Sequence, residues 1–454
     1  MLLPAELIAS LRGLPGFDEQ AFLMVHGEGK APVSVRVNPA KGEKAPGLAL
    51  RPVPWCPSGW YLSSRPSFIT EPAWHAGLYY VQEASSMFLE QVFSQHAASV
   101  AAPRVLDACA APGGKSTHLQ SLMGRDGLLV SNEVIRTRVG VLSENLQRWG
   151  GANVVVSAAD PRAFGHLPGY FDVVLVDAPC SGSGLFRREP EAVREWSPEQ
   201  VALCGARQHR ILGDLLGALK EGGLLIYSTC SYSPRENEDV LGWLCGAYAL
   251  ESLPLAIDPA WGIVETRAGV SGAFGYRFYP HRLEGEGLFM ACLRKTGGGA
   301  AAGVRASGRT GVSFLGSRDT ELVRPWLRSP DDMACFQVGE TLRAVPAALS
   351  ADIAYLSTVL PIREAGIAVG QPMRKELIPD PSLALSLQVS DAVPRLELSH
   401  AQALDYVRKD ELRLEGAPRG WALVTYEGHG LGWVKVLEGR INNYYPKQWR
   451  VLKR

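Results

Sequence analysis

Two cysteines stand in segments whose composition suits reaction chemistry: Cys180 within DAPCSGSG at 177–184 and Cys230 within STCS at 228–231. Each ends or follows a short apolar run, FDVVLVD at 171–177 and LLIYSTC at 224–230. Runs of that length and continuity read as strands covered on both faces. Both thiols are therefore expected at the carboxyl edge of one sheet. A free thiol, with a pKa of about 8.5, is mostly protonated at neutral pH, so a reacting one needs a polar or cationic neighbourhood. Lys115, Arg187 and Arg188 are the candidates to supply it. Cys109, Cys204, Cys245 and Cys292 read instead as small core residues.

LDACAAPGGKS at 106–116 follows a predicted strand and opens a predicted helix, so its glycines let the backbone approach a ligand at that same edge. The segment is neither GxGxxG nor the phosphate-cradling GxxxxGKS. Glu133, 26 residues beyond Asp107 and at the end of the next strand, takes the place of the acid that holds two ribose hydroxyls in nucleoside-binding sheets. A solvated strand-end Glu is also common there. Asp160, closing the third strand, is placed for the amino group of an adenine.

The elements that must position these residues are short apolar runs at 105–109, 127–133, 153–157, 171–177 and 224–230, alternating with helix-compatible stretches. That alternation predicts an α/β fold on a parallel sheet. Residues 1–78, with Pro32, Pro39, Pro46, Pro52, Pro54 and Pro57 and a candidate exposed strand SVRVN at 34–38, read as a small accessory domain, and 79–296 as the catalytic one. Gly and Ala fill ten of the fifteen positions 297–311, none of which is acidic, so 297–312 reads as a linker. An intermediate region, 313–394, carries no chemical motif, and 395–454, with apolar runs broken by Gly, reads as a compact β module.

The 454 residues include 46 basic and 46 acidic ones, with 46% hydrophobic and 20% charged, which excludes a mostly disordered chain. No apolar run reaches the roughly 18 residues that cross a bilayer, and MLLPAELIAS lacks a secretory pattern, so a cytoplasmic protein without a membrane partner is expected. Eight cysteines without a CxxC pair or a zinc-finger spacing predict neither a disulfide framework nor a metal. Zero net charge hides a local excess. From Lys435 to Arg454 six basic residues face one acid, Glu438, in a stretch that also holds Tyr444, Tyr445 and Trp449 and follows Trp433.

LDACAAPGGKS, DAPCSGSG and STCS, with YYVQEASS at 79–86 upstream, resemble in order and spacing the Sun (NSUN) family of RNA cytosine-5 methyltransferases, over about residues 30–296. EGEGLFMACLRK at 284–295 and the C-terminal extension look like the RsmF-type subgroup, which modifies bacterial small-subunit ribosomal RNA. The resemblance implies a Rossmann-like class I S-adenosylmethionine-dependent methyltransferase. It adds an N-terminal accessory RNA-binding domain at 1–78 and a C-terminal α+β, PUA-like RNA-binding region ending in 395–454. The implied reaction moves a methyl group from S-adenosylmethionine to C5 of cytosine, above all in 16S ribosomal RNA. This carbon is a poor nucleophile until a thiolate adds to C6. The family pattern gives that addition to Cys230, a hydrogen bond near N3 to Asp177, breakdown of the adduct to Cys180, and a position facing the base to Lys115. The cofactor falls to Ala110, Ala111, Pro112, Gly113, Gly114, Lys115, Ser116, Glu133, Asp160 and Asp177. Ser116 stands where Thr is frequent, Cys109 precedes AAPGGK and SGSG replaces SGEG, but no reacting group is missing. Transfer RNA as substrate, or a silent ribosome-assembly factor, are the alternatives. Intact Cys180, Cys230, Asp177 and Lys115 count against the latter, and STCS against a DNA enzyme, whose nucleophile lies in a PC motif.

Overall fold

The computed structural model describes residues 2–42, 50–297, 311–374, 376–414 and 416–453, so most of the expected linker, 298–310, lies outside the described residues. The five apolar runs form parallel strands β1 (Arg104–Asp107), β2 (Leu128–Asn132), β3 (Val154–Ser157), β4 (Phe171–Asp177) and β5 (Leu219–Thr229). Their order is β5-β4-β1-β2-β3, and the order reverses between β4 and β1. Side chains alternate between two cores. Leu106, Val130, Val174, Val176, Leu225 and Tyr227 face one layer, while Val105, Leu129, Val173, Leu175, Leu224 and Ile226 face the other. Burial on both faces explains why these strands read as continuous rather than alternating apolar runs.

Helix α1 (Leu89–His96) precedes the sheet, and α2 (Gly114–Leu122) and α3 (Arg136–Trp149) follow β1 and β2. Helix α4 (Pro198–Leu215) begins at Ser197, whose hydroxyl accepts the Gln200 N–H, with Pro198 at the first helical position, where no amide hydrogen is needed. On one side of the parallel strands, β6 (Leu288–Lys295) pairs antiparallel with β5, and Ala273–Phe278 and Val264–Ala268 continue the sheet beyond it. At the other end, β7 (Ile362–Ala365) pairs antiparallel with β3. Strand β7 comes from the 313–394 region, which reads from sequence as a unit by itself. Asp352 of the same region accepts from Arg104 at the start of β1 at 2.7 Å.

The N-terminal region forms a four-stranded antiparallel sheet in which Val33–Val37 lies between Cys56–Leu62 and Tyr79–Val81. This strand is buried, against the expectation of an exposed one. Arg36 makes its sequence look amphipathic, yet its guanidinium is fully buried, donating to Gln82 Oε1 at 2.7 Å and Thr117 Oγ1 at 2.6 Å and lying over the Trp149 ring. The C-terminal residues form a further four-stranded sheet, Arg395–Glu397, Gly420–Tyr426, His429–Leu437 and Arg440–Asn443. Trp433, Tyr445 and Trp449 are core side chains there, so they offer no exposed rings for bases. The exposed charge of this tail is mainly cationic: Arg440, Lys447, Arg450 and Lys453, against Glu438.

Candidate active site

Asp177 and Ser228 are register partners at the ends of β4 and β5, so the chain that leaves each strand starts from adjacent points. The Ser228 hydroxyl donates to Asp177 Oδ1 at 2.7 Å, and Lys115 Nζ sits 2.8 Å from Asp177 Oδ2. Three residues beyond Asp177 and two beyond Ser228, the sulfurs of Cys180 and Cys230 meet at 2.9 Å, both half-buried. The expected convergence of the two thiols is therefore present, with the Lys115–Asp177 pair beside it. The hydrogen bond to Cys230 and burial push the Cys180 thiol well up, which keeps it protonated. Burial works to lower Lys115, but the charge and hydrogen bond of Asp177 outweigh it and raise the ammonium's pKa, with a smaller contribution from Cys230. Of the three candidate cations, Lys115 is the one coupled to Cys230. Arg187 turns away to Glu286 Oε2 at 3.2 Å and to the Gly285 carbonyl at 2.6 Å, and Arg188 is exposed.

A second group of residues holds the two cysteine loops together, and sequence reading passed over it. Glu236 accepts from the Ser181 N–H at 2.8 Å, the Ser181 hydroxyl at 2.6 Å, the Ser231 hydroxyl at 2.5 Å and Gln208 Nε2 at 3.3 Å. Burial raises its pKa against these four donors. Gly184 packs its backbone on the other loop: its N–H donates to the Cys230 carbonyl at 2.8 Å, and a Cβ there would stand 2.7 Å from that oxygen. The only advance signal was that Glu236 lies six residues past Cys230.

The description "16S rRNA methyltransferase RsmB/F" belongs to the family model that matches residues 97–294. The N-terminal domain of 16S rRNA methyltransferase RsmF matches 3–84, and the methyltransferase RsmF PUA domain matches 393–451. Ribosomal RNA small subunit methyltransferase F of Escherichia coli O9:H4 (strain HS) is 32% identical over 439 residues, 91% of this chain and 89% of that protein. Its counterpart in Shigella boydii serotype 4 (strain Sb227) has the same identity and coverage. The chain belongs to the RsmB/F methyltransferase family. Among solved structures, a methyltransferase homolog protein from Pyrococcus horikoshii is 30% identical, with a TM-score of 0.52 over 64% of this chain and 100% of that one. NSun6 from the same organism, solved with SFG, shares the fold at 20% identity and a TM-score of 0.54, over 65% of this chain and 99% of that one.

An RsmB/F methyltransferase uses S-adenosylmethionine, and the cleft beside the β1/β4 reversal fits it. Loop 110–116 runs from β1 into α2, the place where open α/β sheets bind ligands. Gly113 adopts φ 114°, which only glycine accepts without strain, and opens α2. Asp107 is fully buried and accepts from the Ser116 hydroxyl at 2.7 Å, yet among the described residues its Oδ1 has no hydrogen-bond partner, an unsatisfied acceptor that fits a site for a polar ligand. Burial lifts its carboxyl to about 7. Glu133 is buried at the end of β2, with Oε1 accepting the Ile135 N–H at 2.8 Å and Arg138 at 3.5 Å from Oε2. Asp160 differs: it is only partly buried and accepts from the Arg162 backbone and guanidinium at 3.1 and 3.0 Å.

Proposed function

We propose that this protein methylates C5 of a cytosine in 16S ribosomal RNA through a covalent bond between Cys230 and C6. The observation that carries the reading is the 2.9 Å pairing of Cys180 and Cys230 next to the Lys115–Asp177 ion pair. S-adenosylmethionine supplies an electrophilic methyl group. Loop 110–116, Glu133 and Asp160 hold it, the acids through hydroxyl and amino groups. Cys230 adds to C6 as thiolate and makes C5 nucleophilic. Asp177 keeps free lone pairs beyond those taken by Lys115 and Ser228, so it can hold a protonated N3. Lys115 fixes that carboxylate and stabilises the thiolate by its charge. After methyl transfer a water takes the C5 proton, the electrons of that bond re-form the C5–C6 double bond, and the sulfur–C6 pair leaves on Cys230, which takes the Cys180 proton; solvent then reprotonates Cys180.

On this reading 79–296 carries catalysis, 297–312 is the linker, and 1–78, 313–394 and 395–454 supply support and RNA presentation. A base must leave its stack to expose C5 and C6, so contacts outside the pocket are required. Cys180→Ala is expected to stall after methyl transfer and to give a protein–RNA band on a denaturing gel, dependent on S-adenosylmethionine and removed by ribonuclease treatment. Adding Cys230→Ala should abolish the band. A band that persists in the double variant reverses the roles, and methyl transfer to transfer RNA but not to small subunits replaces the substrate.

A further inference from the structure

The buried end of the N-terminal sheet brings together three side chains from elements far apart in sequence, none of which takes part in the reaction above. Cys56 begins the strand Cys56–Leu62, Glu90 lies on α1 and His118 on α2. Cys56 and His118 are fully buried and Glu90 is partly so. Cys56 Sγ is 3.6 Å from Glu90 Oε2 and 4.0 Å from His118 Nε2, and those two atoms are 2.8 Å apart. A triangle with these sides has a circumscribed radius of about 2.1 Å, and zinc takes nitrogen and oxygen at about 2.0–2.2 Å and sulfur at about 2.3 Å. One cation thus reaches all three donors with almost no movement of any of them. Ser58 Oγ, 3.5 Å from the sulfur, is the neighbouring oxygen for a fourth position.

We propose that Cys56, Glu90 and His118 form a structural zinc site that ties the N-terminal sheet to the helix opened by the cofactor loop. Thiolate, carboxylate and neutral imidazole together carry two negative charges, which balance a divalent ion. Sulfur and imidazole select zinc over magnesium or calcium. His118 Nδ1 is buried and, among the described residues, has no hydrogen-bond partner, so the contact of Nε2 with Glu90 is what turns that edge of the ring toward the other two donors. Arg36, coupled electrostatically to Cys56 and Glu90, adds positive charge nearby and sets the affinity below that of an all-cysteine site. Binding displaces the thiol proton to solvent and moves the ring proton of His118 from Nε2, where it bonds Glu90, to Nδ1, leaving the ion bound by S⁻, O⁻ and N. No sequence spacing announces the site, because its ligands lie 34 and 28 residues apart.

The full-length protein, dialysed against zinc chloride and then buffer, is expected to retain one molar equivalent by elemental mass spectrometry. Cobalt chloride should give the near-ultraviolet band of a thiolate–cobalt bond. Cys56→Ser, close in shape and checked for folding by circular dichroism, should lose the band and the zinc. A variant with Cys180→Ser and Cys230→Ser should keep both, which separates this site from the reactive thiols. Wild-type protein that retains less than about a tenth of an equivalent, far from the saturation a structural site requires, overturns the proposal. So does cobalt absorption that survives Cys56→Ser or vanishes with the active-site pair.

Discussion

The 2.9 Å between Cys180 and Cys230 also makes the pair a target for oxidation. A disulfide closes at about 2.05 Å, so the sulfurs need approach by only about 1 Å. Diamide, which takes two electrons and two protons from two thiols, is expected to join them and stop methyl transfer, and dithiothreitol to restore it. Peptide mass spectrometry checks the prediction: inactivation without the 180–230 crosslink contradicts it. Glu236 acts on the same sulfurs indirectly, through the loops it joins. Glu236→Gln replaces an acceptor with a donor among four donors, a mismatch that costs about 1–3 kcal/mol. Because the thiols lose their alignment while RNA still binds, kcat should fall by about tenfold or more with KM unchanged. An equal rise in KM would make Glu236 part of RNA binding. The meeting of Cys180, Cys230, Asp177 and Lys115 at one sheet edge was legible because their motifs end adjacent apolar runs. Glu236 was not, since a carboxylate in SPRENED reads as surface charge until the fold turns it under the Cys180 loop.

Among the elements, β1–β5 were legible because burial on both faces leaves an unbroken apolar signature. The Val33–Val37 strand was misread because the partners that make Arg36 tolerable inside, Gln82, Thr117 and Trp149, come from three other segments. The short helix Pro72–His75 has a similar hidden partner. His75 Nε2 donates to the Ile69 carbonyl and Nδ1 accepts from the Tyr445 hydroxyl, both at 2.9 Å, which docks the C-terminal sheet on the N-terminal region. Burial lowers the pKa of His75 to about 4, from 6.5. The unfolded chain then binds more protons than the folded one between these values, so stability falls as pH drops from 6.5 toward 4. At about 1.36 kcal/mol per unit, His75 accounts for about 3 kcal/mol of that loss. His75→Phe should give a shallower fall in Tm over this window by calorimetry, with His26 and His118, lowered to the same value, keeping their share. An unchanged acid slope would show that His75 is already protonated when folded.

At the scale of the whole molecule, the C-terminal third is built into the catalytic body rather than hung from it. Lys41 donates to the carbonyls of Ala76, Arg148 and Leu385 at 2.8, 2.6 and 2.7 Å, one from each of three regions. Strand β7 closes the edge of the sheet, and Asp352 accepts from Arg104 and from Tyr170 at 2.5 Å. The glycine-rich composition at 297–311 suggested a detachable module because linker chemistry is local, whereas these ties depend on residues hundreds of positions away. Truncation at 312 would expose β3 and leave Arg104 unpaired, so its effect on RNA would be mixed with unfolding.

The RNA contribution of the tail is better read from charges that hold nothing in place. The Arg450 guanidinium donates to the Arg408 carbonyl at 2.7 Å and Lys453 Nζ to the Ser67 hydroxyl at 3.1 Å, so neither side chain is free of a structural part. The Arg440 and Lys447 side chains are exposed and, among the described residues, make neither an ion pair nor a hydrogen bond. Replacing both with Ala should leave Tm and S-adenosylmethionine affinity unchanged. The KM for small-subunit RNA should rise, and the slope of log K against log salt should flatten by about 0.7–0.9 for each phosphate that is no longer neutralised. A rise in KM at an unchanged salt slope would point to reshaped RNA rather than to charge. If both quantities stay at their wild-type values, RNA reaches Cys230 across another face, and the candidates become Lys30, Arg188 and Arg282, exposed cations outside the C-terminal region.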